Sequence, residues 1–337
     1  MIILGIDTSC DDTSFSILKD RHVLSELVSS QTEVHSLFGG VVPEIASRRH
    51  LEVVDRLFLE VLRMAGLKEG DIEVVAVTAG PGLVGSLLVG LSFAKGLCCS
   101  LGIPLVCVNH VHAHAMSIFL ERDVEFPFVA LVASGGHTVI LLLKDPLAFE
   151  VIGTTRDDAA GEAFDKAAKF FGLPYPGGTV IEELAKEGMR DRVTFPRPMV
   201  EERSHDMSFS GLKTALINYV KKNGLKEASQ PDILASFQEA IVETLTTKTL
   251  RAARDCGVGT VVVGGGVAAN KRLREVMVEK GRAMEIEVLF PSKRYCLDNA
   301  SMVALTGYFF ARAGRFSPLD AAAFSRMAVR THGAKGA

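Results

Sequence analysis

The chemistry of this chain is most visible in three alternating histidines, His110, His112 and His114. They follow an apolar run that predicts a strand, and they begin a predicted helix. Residues four apart lie on one helical face, so His110 and His114 can bind one metal ion while His112 points elsewhere. A third ligand is then required, for which Asp298 is the candidate and His137 competes. A buried histidine pair with a structural role is the alternative.

An acidic turn follows the first predicted strand and contains Asp7, Asp11 and Asp12. Carboxylates beside a phosphate-binding turn commonly recruit Mg²⁺ or position water, so Mg²⁺ bound with a nucleotide is one candidate ligand. Asp7 ends the strand and points towards the turn, which favours a functional role. Turn capping is the alternative, and Asp12 could do only that.

Three turns rich in small residues follow predicted strands, at residues 7–9, 134–138 and 264–267. Small residues allow backbone N–H groups to approach a phosphate or a ribose, and a helix start adds a favourable dipole. Each turn alone could equally serve tight packing. Because the turns recur at matching places in two similar halves, we interpret them as nucleotide-binding loops.

A second acidic stretch occupies residues 157–165. Asp158, Glu162 and Asp165 share one face of a predicted helix. Asp165 would suit the hydroxyl groups of a ribose, as acidic residues do in other nucleotide sites. Solvation and compensation of the helix dipole explain the stretch as a whole equally well.

These side chains are positioned by a pattern of elements that occurs twice in the chain. Each half begins with antiparallel strands and ends with strands that lead into helices. The predicted fold is therefore α/β, with duplicated lobes facing each other around a central cleft. We predict a first lobe at 1–125 and a second at 126–337, with a helical insertion at about 156–256. The tail 331–337 is predicted to be disordered.

Composition limits the kind of protein this can be. A length of 337 residues favours two domains, and a formal net charge of −3 provides no global positive field for nucleic acid. Any RNA site must then be a local basic patch or be completed by another protein. Candidate basic residues are Arg48, Arg49, Lys213, Lys271, Arg272, Arg274, Lys293 and Arg294.

The chain also lacks the usual signals for export or membrane insertion. It starts with a predicted strand instead of a signal peptide, and the apolar run 83–99 is interrupted by Gly, Ser and Lys95. The six cysteines show no CxxC spacing. We therefore expect a cytoplasmic protein without a membrane span.

Taken together and in this order, the motifs resemble the bacterial TsaD family, over roughly residues 2–305. That family is related to the catalytic subunit of the archaeal and eukaryotic KEOPS complex and was once called O-sialoglycoprotein endopeptidase. The motifs lie at 4–13, 39–44, 78–83, 110–114, 134–138, 157–166, 175–178, 208–213, 264–270 and 298–299.

The resemblance implies a fold and a reaction. The fold would be that of the actin, hexokinase and Hsp70 superfamily, whose lobes are ribonuclease H-like. The reaction would transfer a threonylcarbamoyl group from threonylcarbamoyl-AMP to N6 of adenosine 37, in tRNAs that read ANN codons. Asp11 is then our first candidate for accepting the amine proton, and His137 the second.

The resemblance also implies ligands and partners. One Fe²⁺ or Zn²⁺ per subunit would be held by His110, His114 and Asp298. The proteins TsaB and TsaE would be partners, with TsaB on the N-terminal lobe, and TsaC or TsaC2 would supply the adenylate. The substrate contacts that it implies are Val132, Ala133, Ser134, Gly135, Gly136, Asp165, Gly178 and Asn270.

Two positions depart from the family pattern. Asp12 stands where many members have Glu, which could shift the position of a water molecule. His112 stands where an acidic or small residue is common, and a third imidazole there could alter the choice of metal.

Three other classes of protein fit less well. A zinc peptidase of the HExxH type needs a general-base Glu between its histidines, and this motif is His-Val-His-Ala-His. A non-catalytic nucleotide-binding scaffold would not need both His110 and His114 together with Asp298. A sugar kinase of the same superfamily would need an acid–base pair for its sugar, and we identify none.

Overall fold

The apolar runs of the sequence form two five-stranded sheets in the computed structural model, which describes residues 1–225 and 228–326. The predicted disorder of 331–337 concerns residues outside these ranges. The strands are β1 Ile2–Asp7, β2 Asp12–Lys19, β3 His22–Ser30, β4 Val74–Gly80, β5 Leu105–Asn109, β6 Phe128–Ala133, β7 Thr138–Asp145, β8 Ala148–Thr154, β9 Thr260–Gly264 and β10 Glu287–Leu289.

The two sheets have the same strand order, which confirms the predicted duplication. The first runs β3-β2-β1-β4-β5 and the second β8-β7-β6-β9-β10. In each sheet the central strand pairs antiparallel with the next strand of the chain and parallel with a later one. Parallel neighbours end at the same edge of a sheet, so the turns that follow them are brought together.

Helices separate and cover these strands. Apolar residues recur at helical spacing over 43–65, and this stretch forms one helix in which Pro43 stands at the first position, where its fixed φ and missing N–H are tolerated. The helices are α1 Thr32–Ser36, α2 Pro43–Ala65, α3 Val84–Leu101, α4 His110–Met116, α5 Ala160–Phe170, α6 Gly177–Ala185, α7 Ser210–Asn223, α8 Gln230–Asp255, α9 Lys271–Ala283, α10 Lys293–Cys296 and α11 Ala300–Arg312.

The chain forms two compact units that are not simple halves of the sequence. The first contains Met1–Val124, Asp145–Ala148 and the described residues from Leu297 onward, and the second contains Glu125–Lys144 and Phe149–Cys296. The second lobe predicted from the sequence covers all of 126–337. That assignment is wrong for the last helix, because α11 packs on β1, β4 and β2 of the first sheet.

Strand β1 explains why the first unit needs this distant helix. Leu4 and Ile6 are buried in one core with Leu91 of α3. Side chains alternate along a strand, so Gly5 faces the other way. A Cβ on Gly5 would overlap the backbone carbonyl oxygen of Ala300, where α11 begins. Helix α11 therefore covers the face of the sheet that α2 and α3 leave open.

Helix α3 is long and apolar enough to cross a membrane by length and composition, with a mean hydropathy of 1.6 in its most apolar window. Within the described ranges it is the one helix of this kind. Its buried residues, among them Leu87, Leu91 and Ala94, pack towards β4 and α2. Core packing thus accounts for one face of the helix.

The second unit is built around α8. Buried residues such as Phe237, Ile241 and Leu245 belong to its core, together with residues of α5, α6 and α9. The described segment 189–208 contains no helix or strand. It is held by the fully buried Lys248, whose Nζ donates to the carbonyl oxygens of Glu202 (3.0 Å) and Ser204 (2.6 Å).

Candidate metal centre and nucleotide-binding loops

The histidine pair lies on one face of α4, directly after β5. Asn109 caps this helix, because its side-chain oxygen accepts from the N–H groups of Val111 (2.9 Å) and His112 (3.1 Å). The cap fixes where the helix begins, and with it the direction of the two imidazoles that follow. The rings of His110 and His114 are 4.6 Å apart between centroids.

Asp298 completes a group of three possible metal ligands within the first unit. Its Oδ1 lies 2.9 Å from Nε2 of His114 and 3.5 Å from Nε2 of His110. One ligand atom from each residue lies within 4.8 Å of the other two. Among the described residues this group does not include His137, the competing third ligand. Two imidazole nitrogens and a carboxylate oxygen are a donor set that suits Fe²⁺ or Zn²⁺.

The electrostatics of this group favour a bound cation. Burial alone would lower the pKa of His110, but the carboxylates of Asp7 and Asp298 outweigh burial and raise the pKa to about 10. Burial likewise opposes the charge of Asp298, yet His110 and His114 hold the pKa of Asp298 well below its usual value. A positive charge is therefore strongly stabilised between these carboxylates, and a divalent ion could take the place of the proton on His110.

Asp7 contacts the other side of the His110 ring, a position that the sequence did not predict. It ends β1 in a buried position, its Oδ1 accepts from Ser9 N–H (3.0 Å), and its Oδ2 lies 3.3 Å from Nδ1 of His110. A carboxylate on the far nitrogen of a metal-binding histidine is a common device for orienting the ring. The clue in the sequence was a carboxylate at a strand end beside the turn.

Asp11 lies in the turn between β1 and β2, and Asp12 is the first residue of β2. Burial raises the pKa of Asp11, and it raises the pKa of Asp12 to about 7; repulsion from Asp298 contributes to both shifts. The turn is thus close enough to Asp298 for the carboxylates to interact. The second candidate for proton transfer, His137, belongs to the other unit, where its backbone N–H donates to Ser134 Oγ (3.1 Å).

His112 is buried and points away from the metal ligands. Its ring packs edge-on against Phe310 of α11, with 6.0 Å between centroids. Burial lowers the pKa of His112 to about 4. A buried, neutral ring of this kind fits a core histidine, and His112 is not part of the ligand group, so its predicted divergence from its neighbours is confirmed.

In the second unit, the turn after β6 presents an open backbone surface. Gly135 and Gly136 are exposed, and a Cβ built on either would meet no heavy atom within 4 Å. The turn is closed by a hydrogen bond from Ser134 N–H to the His137 carbonyl oxygen (2.7 Å). The side chains of Val132 and Ala133 are fully buried, so these two residues could contact a ligand only through their backbone.

The turn after β9 lies beside the turn after β6, because β6 and β9 are parallel neighbours. Gly265 has a φ of +87°, and a Cβ there would overlap the carbonyl group of Ala133. Only a glycine permits this close approach of the two backbones. The two glycine loops that the sequence predicted in the second half therefore meet at one edge of the sheet.

The three remaining predicted substrate residues all organise helix starts. Asp165 Oδ1 accepts from the N–H of Gly177 (2.7 Å), so it stabilises the first turn of α6, which also contains Gly178. Asn270 caps α9 through Leu273 N–H (3.0 Å), and its Nδ2 donates to Gln238 Oε1 (2.8 Å). The Asn270 side chain is thus held in place. Its Nδ2 carries two hydrogens, and the contact with Gln238 uses one of them.

The acidic stretch 157–165 is largely neutralised within the protein. Lys166 Nζ lies 2.7 Å from Asp158 and 2.8 Å from Glu162. Asp157 accepts from the hydroxyl groups of Ser208 and Ser210, each at 2.6 Å. Asp157, Asp158 and Glu162 are thus held by intramolecular partners, which neither sequence interpretation named.

Several of the basic residues considered for RNA contact already have partners. Arg272 forms a two-point ion pair with Glu239 (2.7 and 2.8 Å), and Arg274 donates to the Ala268 carbonyl oxygen (2.6 Å). Arg48 and Arg49 pair with glutamates of their own helix. These guanidinium groups are only partly available to a phosphate.

Comparison with known proteins fits this arrangement. The family model for TsaD, tRNA N6-adenosine threonylcarbamoyltransferase, matches residues 22–305. The chain belongs to this family. A protein of the same name from Syntrophus aciditrophicus is 51% identical over 330 residues, covering 97% of each chain. The Thermosipho africanus protein of that name is 49% identical over 315 residues, covering 93% of this chain and 96% of its own.

Solved structures with low sequence identity to this TsaD family member share its fold. Full-length HypF in its phosphate- and nucleotide-bound form gives a TM-score of 0.64 at 17% identity, covering 94% of this chain and 56% of HypF. The activator of 2-hydroxyisocaproyl-CoA dehydratase from Clostridium difficile, with bound ADPNP, gives 0.56 at 17% identity, covering 94% and 97%. The predicted α/β fold with a duplicated strand pattern is confirmed.

Proposed function

We propose that the protein transfers a threonylcarbamoyl group from threonylcarbamoyl-AMP to N6 of adenosine 37 in tRNAs that read ANN codons. The observation that carries this proposal is the cluster of His110, His114 and Asp298 in a member of the TsaD family. A scaffold of the same fold would have no need for three buried or half-buried ligands directed at one point. A peptidase would need a general-base carboxylate between the two histidines, where Val111, His112 and Ala113 stand.

The reaction exchanges one bond of the carbamoyl carbon for another. The exocyclic amine of adenine attacks that carbon, and a C–N bond forms. The bond from the carbon to the phosphate oxygen breaks, and AMP leaves with the electron pair. The amine must also lose one proton, so the site needs a proton acceptor as well as a means of stabilising negative charge.

His110, His114 and Asp298 are the residues that would hold Fe²⁺ or Zn²⁺. A bound ion of this kind would act as a Lewis acid towards oxygens on which negative charge develops during acyl transfer. Asp7 keeps the His110 ring oriented through Nδ1, which leaves Nε2 directed at Asp298 and the common ligand position. The protein thus contributes a preformed set of ligands.

The second unit supplies the features expected of an AMP site. The exposed backbone of Ser134, Gly135 and Gly136 offers N–H groups for a phosphate, and the adjoining loop 264–270 would lie along the adenosine. Asp165 and Gly178, which share the start of α6, are the proposed ribose contacts, and Mg²⁺ could accompany the phosphate. Holding the adenylate in place makes attack by a docked tRNA effectively unimolecular.

Asp11 remains our first candidate for accepting the amine proton, with His137 second. Burial raises the pKa of Asp11, which makes its carboxylate a better base than an exposed aspartate. Asp12, whose pKa is raised to about 7, follows Asp11 directly at the start of β2 and would be the next alternative.

We propose that the chain works with tRNA in a complex with TsaB and TsaE, in the cytoplasm. The net charge is −3, and Arg48, Arg49 and Arg272 have intramolecular carboxylate partners. A partner that adds positive surface would compensate for this. On the first unit, Leu51 of α2 is 67% exposed and Leu88 of α3 is 49% exposed, which supports a protein contact on these helices.

The test is reconstitution. The purified chain, TsaB and TsaE are supplied with threonylcarbamoyl-AMP, ATP and an unmodified tRNA that reads an ANN codon, and the nucleosides are analysed by mass spectrometry. We expect threonylcarbamoyladenosine, and none when adenosine 37 is replaced by guanosine. Absence of the modified nucleoside in the complete, metal-loaded mixture would contradict the proposed transfer.

A further inference from the structure

A buried histidine of α2 contacts the acidic turn at two points. His50 is completely buried. Its Nδ1 lies 2.7 Å from Thr13 Oγ1, and its Nε2 lies 2.9 Å from the backbone carbonyl oxygen of Cys10. The two contacts bracket Asp11 and Asp12 in the sequence.

The partners define the form of the His50 ring. A carbonyl oxygen can only accept, so Nε2 must carry a hydrogen. Nδ1 can then accept from the Thr13 hydroxyl group, and one neutral tautomer satisfies both contacts. Burial lowers the pKa of His50, which agrees with a neutral ring.

The rest of the turn is fastened separately. Ser9 N–H donates to Asp7 Oδ1 (3.0 Å), and the Ser9 carbonyl oxygen accepts from Leu83 N–H (2.8 Å). Neither contact reaches Cys10 or Asp11, whereas Asp12 and Thr13 begin β2 and pair with Ser30 and Ser29 of β3. His50 therefore supplies the side-chain contacts that connect the end of the turn and the start of β2 to α2.

We propose that His50 is a positioning residue for the transfer reaction: it fixes the backbone between Cys10 and Thr13 so that Asp11 and Asp12 face the reacting groups. This rests on the proposed function, since the carboxylates matter only if a proton or a water molecule is handled there. A displacement of such groups by about 1 Å can cost roughly 100-fold in rate.

Three variants separate the two contacts. His50→Phe keeps a ring but removes both hydrogen bonds. His50→Gln places an amide N–H near the position of Nε2 and can keep the bond to Cys10. Thr13→Val removes only the hydroxyl group that reaches Nδ1. The matched control is Ser25→Ala, which removes another buried contact between α2 and the sheet, from Ser25 Oγ to the Val61 carbonyl oxygen (2.8 Å), away from the turn.

Transfer is measured with the reconstituted complex. For His50→Phe we expect kcat to fall roughly 100-fold with the KM for tRNA unchanged, and partial recovery in His50→Gln. Ser25→Ala should lower the melting temperature and leave kcat within about twofold. Wild-type kcat in His50→Phe, or an equal loss of kcat in Ser25→Ala, would overturn the positioning role.

A second measurement does not depend on activity. Amide hydrogen exchange of residues 8–13 should become faster in His50→Phe and Thr13→Val but not in Ser25→Ala, and ¹⁵N NMR of histidine-labelled protein should show His50 neutral with hydrogen on Nε2. If the wild-type complex makes no modified nucleoside, the proposed function fails while exchange still tests the contact. If His50→Phe does not fold, His50→Gln and Thr13→Val carry the test. Unchanged exchange in the variants that fold would refute the proposal.

Discussion

Gly161, the second residue of α5, should determine the position of the turn Ser134–Gly136, the proposed phosphate contact, without itself contacting the nucleotide. Its N–H donates to the Ser134 carbonyl oxygen (3.1 Å), and a Cβ on it would lie 2.5 Å from that oxygen and 2.8 Å from Cα of Gly135. Carbon and oxygen atoms of this kind pack at roughly 3.5 Å. In Gly161→Ala the loop would have to move by about 1 Å.

The expected cost can be divided between stability and binding. Overpacking of this size destabilises by about 1–3 kcal/mol, and the better helix propensity of alanine recovers up to about 1 kcal/mol. Displacing a loop N–H group that donates to a phosphate should weaken the free energy of AMP binding by about 1.5–3 kcal/mol, which raises Kd roughly 10- to 150-fold. Gly161→Ala should therefore lose both stability and affinity for AMP.

Gly135→Ala is the matched comparison on the loop itself. Its Cβ would meet nothing within 4 Å in the protein, so urea unfolding should show a stability within about 0.5 kcal/mol of wild type. If AMP occupies that space, isothermal titration calorimetry should nevertheless show weaker binding. Unchanged Kd values in both variants, with the expected loss of stability in Gly161→Ala, would refute the placement of the phosphate at this loop.

Four further outcomes are expected. His110→Ala and His114→Ala should each bind less than about a tenth of the iron or zinc that the wild type binds, measured by mass spectrometry, because each variant keeps only two of the three protein ligands. Full metal occupancy together with normal transfer would exclude the site. Asp7→Asn should keep the fold but weaken metal binding roughly 10- to 100-fold in chelator competition, and an unchanged affinity would remove its orienting role. The pKa of His112 is lowered from 6.5 to about 4, so the neutral ring stabilises the fold fully above pH 6.5, and this contribution of about 3 kcal/mol is lost as the pH falls towards 4. The free energy of unfolding of a His112→Leu variant should therefore depend less on pH than that of the wild type. Parallel curves for the two proteins would contradict this. Without TsaB and TsaE, multiple-turnover transfer should be negligible, and tRNA binding should be weak and salt-dependent. Full turnover by the isolated chain would show that it does not require these partners.

The local part of this structure follows from the sequence, because short-range patterns determine it. The spacing of His110 and His114 placed both rings on one helical face. The bounds of α2 follow from Pro43 at its start and Gly66 after its end, where φ is +67°.

Contacts between distant residues were harder to predict. Nothing near Asp298 indicates that it belongs to the first unit, since the preference of α11 for one sheet depends on a complementary surface around Gly5. His50 is 40 residues from Cys10, and a histidine in an amphipathic helix resembles any other buried polar residue. The compensation of Asp158 and Glu162 by Lys166 was also missed, although Lys166 stands four residues after Glu162, a spacing at which helical side chains pair.

The return of α11 to the first sheet has a consequence for how the chain is made. Until Ala300–Arg312 leaves the ribosome, one apolar face of β1 and β4 has no helix to cover it, and the histidines of α4 lack Asp298. At synthesis rates of roughly 5–20 residues per second, the interval between Val124 and Arg312 lasts on the order of 10–40 s. The second unit, whose described residues are all translated within that interval, can fold first. The nascent first unit should therefore be the part that depends on chaperones, and metal loading should be a post-translational event.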